Sequence, residues 1–302
     1  MLPLRDSKAN VVLSLCLIKL LLSHLVGAPQ NVLQRSMMQL VCGTTPFPGG
    51  ITATLALREQ CLPRMFASGH NVVSLTLSGD RDGLTATVHK IAKERQYFLS
   101  RPEQFVLVDT AADIERARHE SKLAVIFHFQ GSNPVDNDPN LVEFYYRLGI
   151  RHILLVYNLK NPVGDGCKER TDAGLSRFGE SLIGEMNRVG MMVDCSHMGF
   201  ATSMDVMAMS TAPVVFSHSN ALAMNDHPRN IRDEQIDACA ATGGMMGVNG
   251  VGIFLGNNDC SPANRLRHID YIADRVGPQH VGLASDYLYH REVTSPTLWN
   301  PP

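Results

Sequence analysis

The chain has 302 residues, of which 44% are hydrophobic and 19% charged, and a formal net charge of −2. A chain of that size and balance can bury a large core of its own, and its charge calls for neither nucleic acid nor an anionic membrane surface as a partner. The cysteine count is seven, an odd number without a CxxC pair, which argues for scattered thiols rather than a complete disulfide framework.

In chain order, the first feature is an apolar run over residues 11–26, preceded by Arg5 and Lys8 and followed by Gly27-Ala28. It resembles a secretory signal peptide, although Lys19 and His24 interrupt it. Residues 1–30 are therefore expected to be a signal-like or poorly ordered extension, and residues 31–302 a single domain. A signal over residues 11–28 would make the protein secreted or membrane-associated; without one it would be cytoplasmic.

Eight short apolar runs follow: Met38–Cys42, Asn71–Leu77, Ala124–Phe129, His152–Val156, Met191–Val193, Pro213–Phe216, Met245–Val248 and His280–Ala284. Their apolar character is continuous rather than alternating, as expected of parallel strands covered on both faces. Helical patterns lie between them. Leu141–Leu148 stops at Gly149, Leu175–Val189 at Gly190, Asp233–Thr242 at Gly243-Gly244, and Asn264–Val276 at Gly277. Strand, helix, glycine, strand is the rhythm of βα units, and eight of them predict a (β/α)8 barrel of the TIM type. No GxGxxG follows the first strand, so an open dinucleotide-binding sheet has no support. The three prolines of Ser295–Pro302 predict that the last helix is missing.

In such a barrel, catalytic groups sit at the C-terminal ends of strands. Strand three ends His128-Phe129-Gln130, strand five Asp194-Cys195-Ser196-His197, strand six Ser217-His218-Ser219, and strand eight Ser285-Asp286. Two histidines and a carboxylate on converging loops are a donor set for zinc or a similar divalent ion. His128 is expected to face away from Gln130 and is given no ligand role.

The wording around these ends is more specific. Gly174–His197 (GLSRFGESLIGEMNRVGMMVDCSH), Pro213–Ile236 (PVVFSHSNALAMNDHPRNIRDEQI), His268–Asp286 (HIDYIADRVGPQHVGLASD) and Leu148–Asn158 (LGIRHILLVYN) resemble the membrane dipeptidase family. The resemblance runs from about residue 38 to residue 286. It implies a barrel that hydrolyses dipeptides, in some members also β-lactam rings, with two zinc ions. By position, His197 and His218 would ligate one metal. Asp286 would ligate the other and help move the proton, and Arg229 would bind the substrate's C-terminal carboxylate. Without the motif, Arg229 reads as a surface arginine paired with Asp226 or Asp233. The resemblance also implies a homodimer.

The chain departs from the family pattern at the first metal site. Thr44 and Pro46 stand where the family has His-x-Asp, Gln130 stands where it has a bridging glutamate, and Tyr157 stands where it has a histidine. A neutral amide cannot replace a carboxylate that bridges two cations, whereas a phenol can donate a hydrogen bond to an oxyanion. The expected metal set is thus His197, His218 and Asp286, with Gln130 at the remnant position, holding one or two zinc ions, one being the better fit. Tyr157 and Asp286 are the expected catalytic groups, and Arg229 and Tyr157 the substrate-binding ones. Two readings follow: a zinc-dependent dipeptidase acting on dipeptides or similar small amides, or a catalytically impaired relative that binds a small carboxylate or a partner through the remnant pocket. A third, an incomplete gene product, rests on the abrupt, proline-rich C-terminus and the unusual N-terminus.

Overall fold

Continuous apolar strands need cover on both faces, and a curled all-parallel sheet ringed by helices supplies it. The structure is a computed structural model that describes residues 37–41, 59, 61–67, 69–284 and 286. Its strands are β1 (Met37–Val41), β2 (His70–Gly79), β3 (Phe105–Leu107), β4 (Leu123–Gln130), β5 (Ile150–Leu154), β6 (Met192–Asp194), β7 (Val215–Phe216), β8 (Met245–Val248) and β9 (Val281–Leu283). The hydrogen-bonded path runs β1-β2-β4-β5-β6-β7-β8-β9, every pair parallel, and it curls until β1 and β9 approach each other. These eight strands are the eight expected from the apolar runs.

The expected strand count nevertheless needs one correction, β3. At three residues it is too short to stand out as a run. It pairs with the start of β4 (Leu123–Val125), while β5 pairs with its end (Phe127–Gln130), so β3 fills the gap below β5. β5 itself begins at Ile150 rather than His152, and Leu155 and Val156 continue from it as buried irregular chain.

The helices are α1 (Leu84–Leu99), α2 (Ala111–His119), α3 (Leu141–Arg147), α4 (Arg177–Val189), α5 (Phe200–Met209), α6 (Asp233–Ala241), α7 (Gly252–Leu255) and α8 (Pro262–Val276). The four expected from sequence are α3, α4, α6 and α8. α4 shows why their ends were legible. The Ser176 side chain caps it by accepting from the Gly179 amide, and Gly190 ends it at φ 79°, which glycine adopts without steric cost. Its buried stripe is Leu182, Ile183 and Met186, at helical spacing.

Alternation along the strands separates two cores. Leu75, Phe127, Phe129, Ile153 and Val193 belong to the layer between sheet and helices. Val72, Ala124, Ile126, Met192, Val215 and Met245 form the floor of the barrel. Above that floor, on the same faces, stand the polar residues Ser74, His128, His152 and Asp194, each 1% exposed or less. The expected extension (residues 1–30) and the proline-rich end (residues 295–302) lie outside the described residues. Among the described residues no helix is long and apolar enough to cross a membrane.

Candidate metal centre

β6 and β7 are neighbours, so the residues that follow them open on the same mouth of the barrel. His197 follows β6 with φ 68°, a left-handed conformation uncommon outside glycine and found often at functional positions. His218 follows β7. Both are buried, and their Nε2 atoms lie 2.8 Å apart. The two imidazoles thus point at one shared place.

Their other nitrogens decide which protons they carry. His197 Nδ1 lies 2.8 Å from Asn158 Oδ1, an acceptor, so the ring proton belongs on Nδ1. His218 Nδ1 lies 2.8 Å from Ser217 Oγ. The Ser217 hydroxyl donates to the Asp194 carboxylate, so its oxygen accepts from His218 Nδ1–H. Both Nε2 atoms are then left with lone pairs facing each other. That contact is repulsive unless a cation or proton is shared between them, and two imidazole lone pairs are donors that suit zinc. Burial pushes the His197 pKa well below its ordinary value, and the Arg229 charge and His218 add to the shift. Burial also lowers that of His218, against the opposing pull of the Asp286 carboxylate. Neutral imidazole is the form that binds metal.

The remaining expected ligands are placed as follows. Asp286 (φ 52°) accepts a hydrogen bond from Asn249 Nδ2 at 2.8 Å. Gln130 ends β4, buried, beside Gly79 and Leu154 in register. Thr44 and Pro46 lie outside the described residues. Among the described residues no group of three or more His, Cys, Asp or Glu side chains assembles to hold an ion, so the imidazole pair is the part of the donor set that the fold brings together.

Tyr157 stacks on the His197 ring with centroids 4.2 Å apart, and its backbone N–H donates to Asp80 Oδ2 at 3.0 Å. Arg229 is not the surface arginine that its composition alone suggested. It is 3% exposed, its Nη2 donates to the His218 carbonyl at 3.0 Å, and Asp233 is engaged by Tyr271 and Arg275 instead. Arg229 Nε and Asn230 Oδ1, and Ser219 Oγ and Asn220 Nδ2 just after His218, are buried polar atoms without a protein partner. Such atoms are rare in folded proteins and mark places where water or a ligand completes the bonding. Arg229 and Asn230 line a cavity of about 300 Å³, together with His197, Cys167, Phe200 and Arg232 among others.

Two groups escaped the sequence reading. Asp80, just beyond β2, gathers the amides of Tyr157 and Asn133 and the Asn161 side chain, tying together the loops that follow β2, β4 and β5. Burial raises its pKa against those hydrogen bonds. Reading the end of β2 by the same strand-end rule would have found it. The second is His128, which does not face away from Gln130 as the sequence suggests. Residues two apart on a strand share a face, so both look into the barrel. His128 Nδ1 meets Ser74 Oγ at 2.8 Å, its Nε2 meets Thr76 Oγ1 at 2.8 Å, and its ring stacks on His152 at 4.2 Å.

Burial, and then His152, push the His128 pKa well below its ordinary value, against the pull of Asp194. His128 therefore stays neutral in the fold while the unfolded chain takes up a proton as pH falls below about 6.5. The stability it allows is complete above that pH and is lost below it. Between about pH 7.5 and about pH 5.5 this one residue should cost on the order of 1 kcal/mol. Urea titrations at both pH values should show a smaller loss in His128→Gln than in the parent by about that amount. Equal losses would show that His128 is not held neutral.

The sequence profile of the membrane dipeptidase family (peptidase family M19) matches residues 55–295. The chain is 32% identical over 208 residues to a dipeptidase of Clonostachys rogersoniana, covering 68% of this chain and 54% of that one. To an uncharacterized dipeptidase of Schizosaccharomyces pombe it is 35% identical over 209 residues, covering 67% and 50%. The chain thus spans about half the length of these curated relatives. A crystal structure of an amidohydrolase from Pseudomonas aeruginosa superposes with a TM-score of 0.76 at 30% identity, over 84% of this chain and 74% of that one. A metallopeptidase from Rhodobacter sphaeroides, solved with a phosphinate mimic of the dipeptide L-Ala-D-Ala, shares the fold at 21% identity and a TM-score of 0.72, over 84% and 86%. With a family profile matching most of its length, and with the paired strand-end histidines those motifs carry, the chain belongs to the membrane dipeptidase family.

Proposed function

We propose that this protein is a zinc-dependent dipeptidase that hydrolyses dipeptides or similar small amides and holds one ion rather than two. The observation that carries the reading is the convergence of the His197 and His218 Nε2 atoms beside a cavity that also borders the buried Arg229. The dipeptide mimic bound by a neighbour of the same fold belongs to the proposed substrate class.

His197 and His218 would hold the ion. Zinc bound there supplies Lewis acidity and lowers the pKa of water towards neutrality. The chain's own groups do the rest. Arg229 takes the substrate's C-terminal carboxylate, which its planar fork fits in two hydrogen bonds. Asp286 accepts the proton of the attacking water on the oxygen that Asn249 does not hold, and returns it to the leaving amine. Tyr157, stacked on His197, donates its phenol proton as a hydrogen bond to the developing oxyanion. Burial of the imidazoles keeps competing water away and strengthens each of these interactions. Elemental analysis of the purified protein should give about one zinc per chain, together with turnover of a dipeptide panel. No bound metal and no amide turnover would remove the reading.

A second reading, a carboxylate-binding relative without catalysis, is favoured by Gln130 in place of a carboxylate and by the lack of a three-residue ligand cluster among the described residues. Restoring Thr44→His, Pro46→Asp and Gln130→Glu separates the two. A parent that already hydrolyses dipeptides as fast as the restored variant excludes the second reading.

A further inference from the structure

Asp194 is a fully buried carboxylate, and the Nδ1 of the neighbouring His152 lies 3.7 Å away, beyond hydrogen-bond distance. A charge in that position is costly unless its hydrogen bonds are complete. All the short ones come from the two strand ends that carry the imidazole pair. Oδ1 accepts from the amides of Ser196 at 2.9 Å and Ser217 at 3.1 Å, and Oδ2 accepts from the Ser217 hydroxyl. Ser196 Oγ in turn accepts from the His218 amide at 3.1 Å. One carboxylate thus locks the end of β6 to the end of β7.

We propose that Asp194 is the positioning residue of the metal centre: through Ser217 it holds the proton of His218 on Nδ1, and so keeps Nε2 free to ligate a cation. The reason is that Ser217 has one proton to give. Its hydroxyl faces Asp194, Ser196 Oγ at 3.2 Å and His218 Nδ1 at 2.8 Å. The carboxylate is the only charged acceptor of the three and takes the proton, leaving the Ser217 oxygen as acceptor for His218 Nδ1–H. Outer partners of this kind set the tautomer of a ligating histidine.

The inference rests on the metal reading for its function but not for its geometry. In Asp194→Asn the oxygen must remain where the two backbone amides need an acceptor, so the new NH2 faces Ser217 Oγ and donates to it. The Ser217 proton then turns to His218 Nδ1, and the imidazole carries its own proton on Nε2, where a metal can no longer bind. A carboxylate-to-amide change that spares the shape but inverts the tautomer is known to be severe at catalytic histidines.

The test uses the full chain, metal-free and with its histidine rings labelled with nitrogen-15, together with zinc binding by equilibrium dialysis. The parent is expected to show the Nδ1–H tautomer at His218, and Asp194→Asn the Nε2–H tautomer with zinc binding ~10–100-fold weaker. Ser217→Ala should lose a single tautomer and weaken zinc binding to a similar degree, whereas Ser217→Thr, which keeps the hydroxyl, should restore both. Should Asp194→Asn not fold, the Ser217 pair decides alone. Variants that melt cooperatively yet keep the parental tautomer overturn the inference, whether or not zinc binding weakens. A tautomer switch in Asp194→Asn beside a parent that binds no zinc would instead sink the metal reading and leave the control of His218 by Asp194 standing.

Discussion

His218→Ala is expected to remove bound zinc and to lower kcat/KM for dipeptides by on the order of 10³-fold, the several kcal/mol that a Lewis-acidic ion supplies to such a reaction. The effect should be this large because the described residues bring two imidazoles together and not three or more ligands, so losing one leaves a single donor. His197→Ala should do the same. The double variant should be scarcely worse than either single one, since residues that act as a unit are not additive. The Arg229 contact is to the His218 carbonyl, which alanine keeps, so the carboxylate site should survive and the loss should fall on kcat rather than KM. Metal content measured beside steady-state kinetics tests this. A His218→Ala protein that retains its zinc and its turnover would show that the imidazole pair is not the metal centre.

Arg229→Ala should raise KM for dipeptides, with kcat/KM falling by roughly 10–150-fold, equivalent to the ~1.5–3 kcal/mol of a hydrogen bond to a charged group. The side chain is 3% exposed, lines the cavity and has its Nε unpartnered, so a carboxylate bound there would meet a charge strengthened by poor solvation. Arg229→Lys should recover only part of the loss, because an ammonium cannot offer the planar fork. The discriminating substrate is a dipeptide with an amidated C-terminus. Its turnover should be insensitive to Arg229→Ala, since it lacks the carboxylate. Equal losses for free and amidated dipeptides would mean that Arg229 serves only to hold the His218 loop.

Much of the architecture is legible in the amino-acid sequence. Runs such as Ala124–Phe129 and Met245–Val248 name buried parallel strands, and glycines such as Gly190 name helix ends, because both signals are local. β3 was not legible, since three residues without flanking punctuation carry no period, and only its pairing with β4 makes it a strand. The strand-end rule led to His197 and His218. Applied to the end of β2 it also reaches Asp80, but what Asp80 does there, gathering amides from loops far along the chain, is not written locally.

The amino-acid sequence by itself determined the class of fold, the family and which imidazoles could meet, because strand periodicity and short motifs are written over neighbouring residues. Tertiary structure alone decided where their protons reside and that Arg229 is buried. The reason is that a buried side chain takes its bonding partners from wherever the chain returns. His197 meets His218 across 21 positions and Asn158 across 39, and Tyr157 meets Asp80 across 77, separations that carry no local pattern.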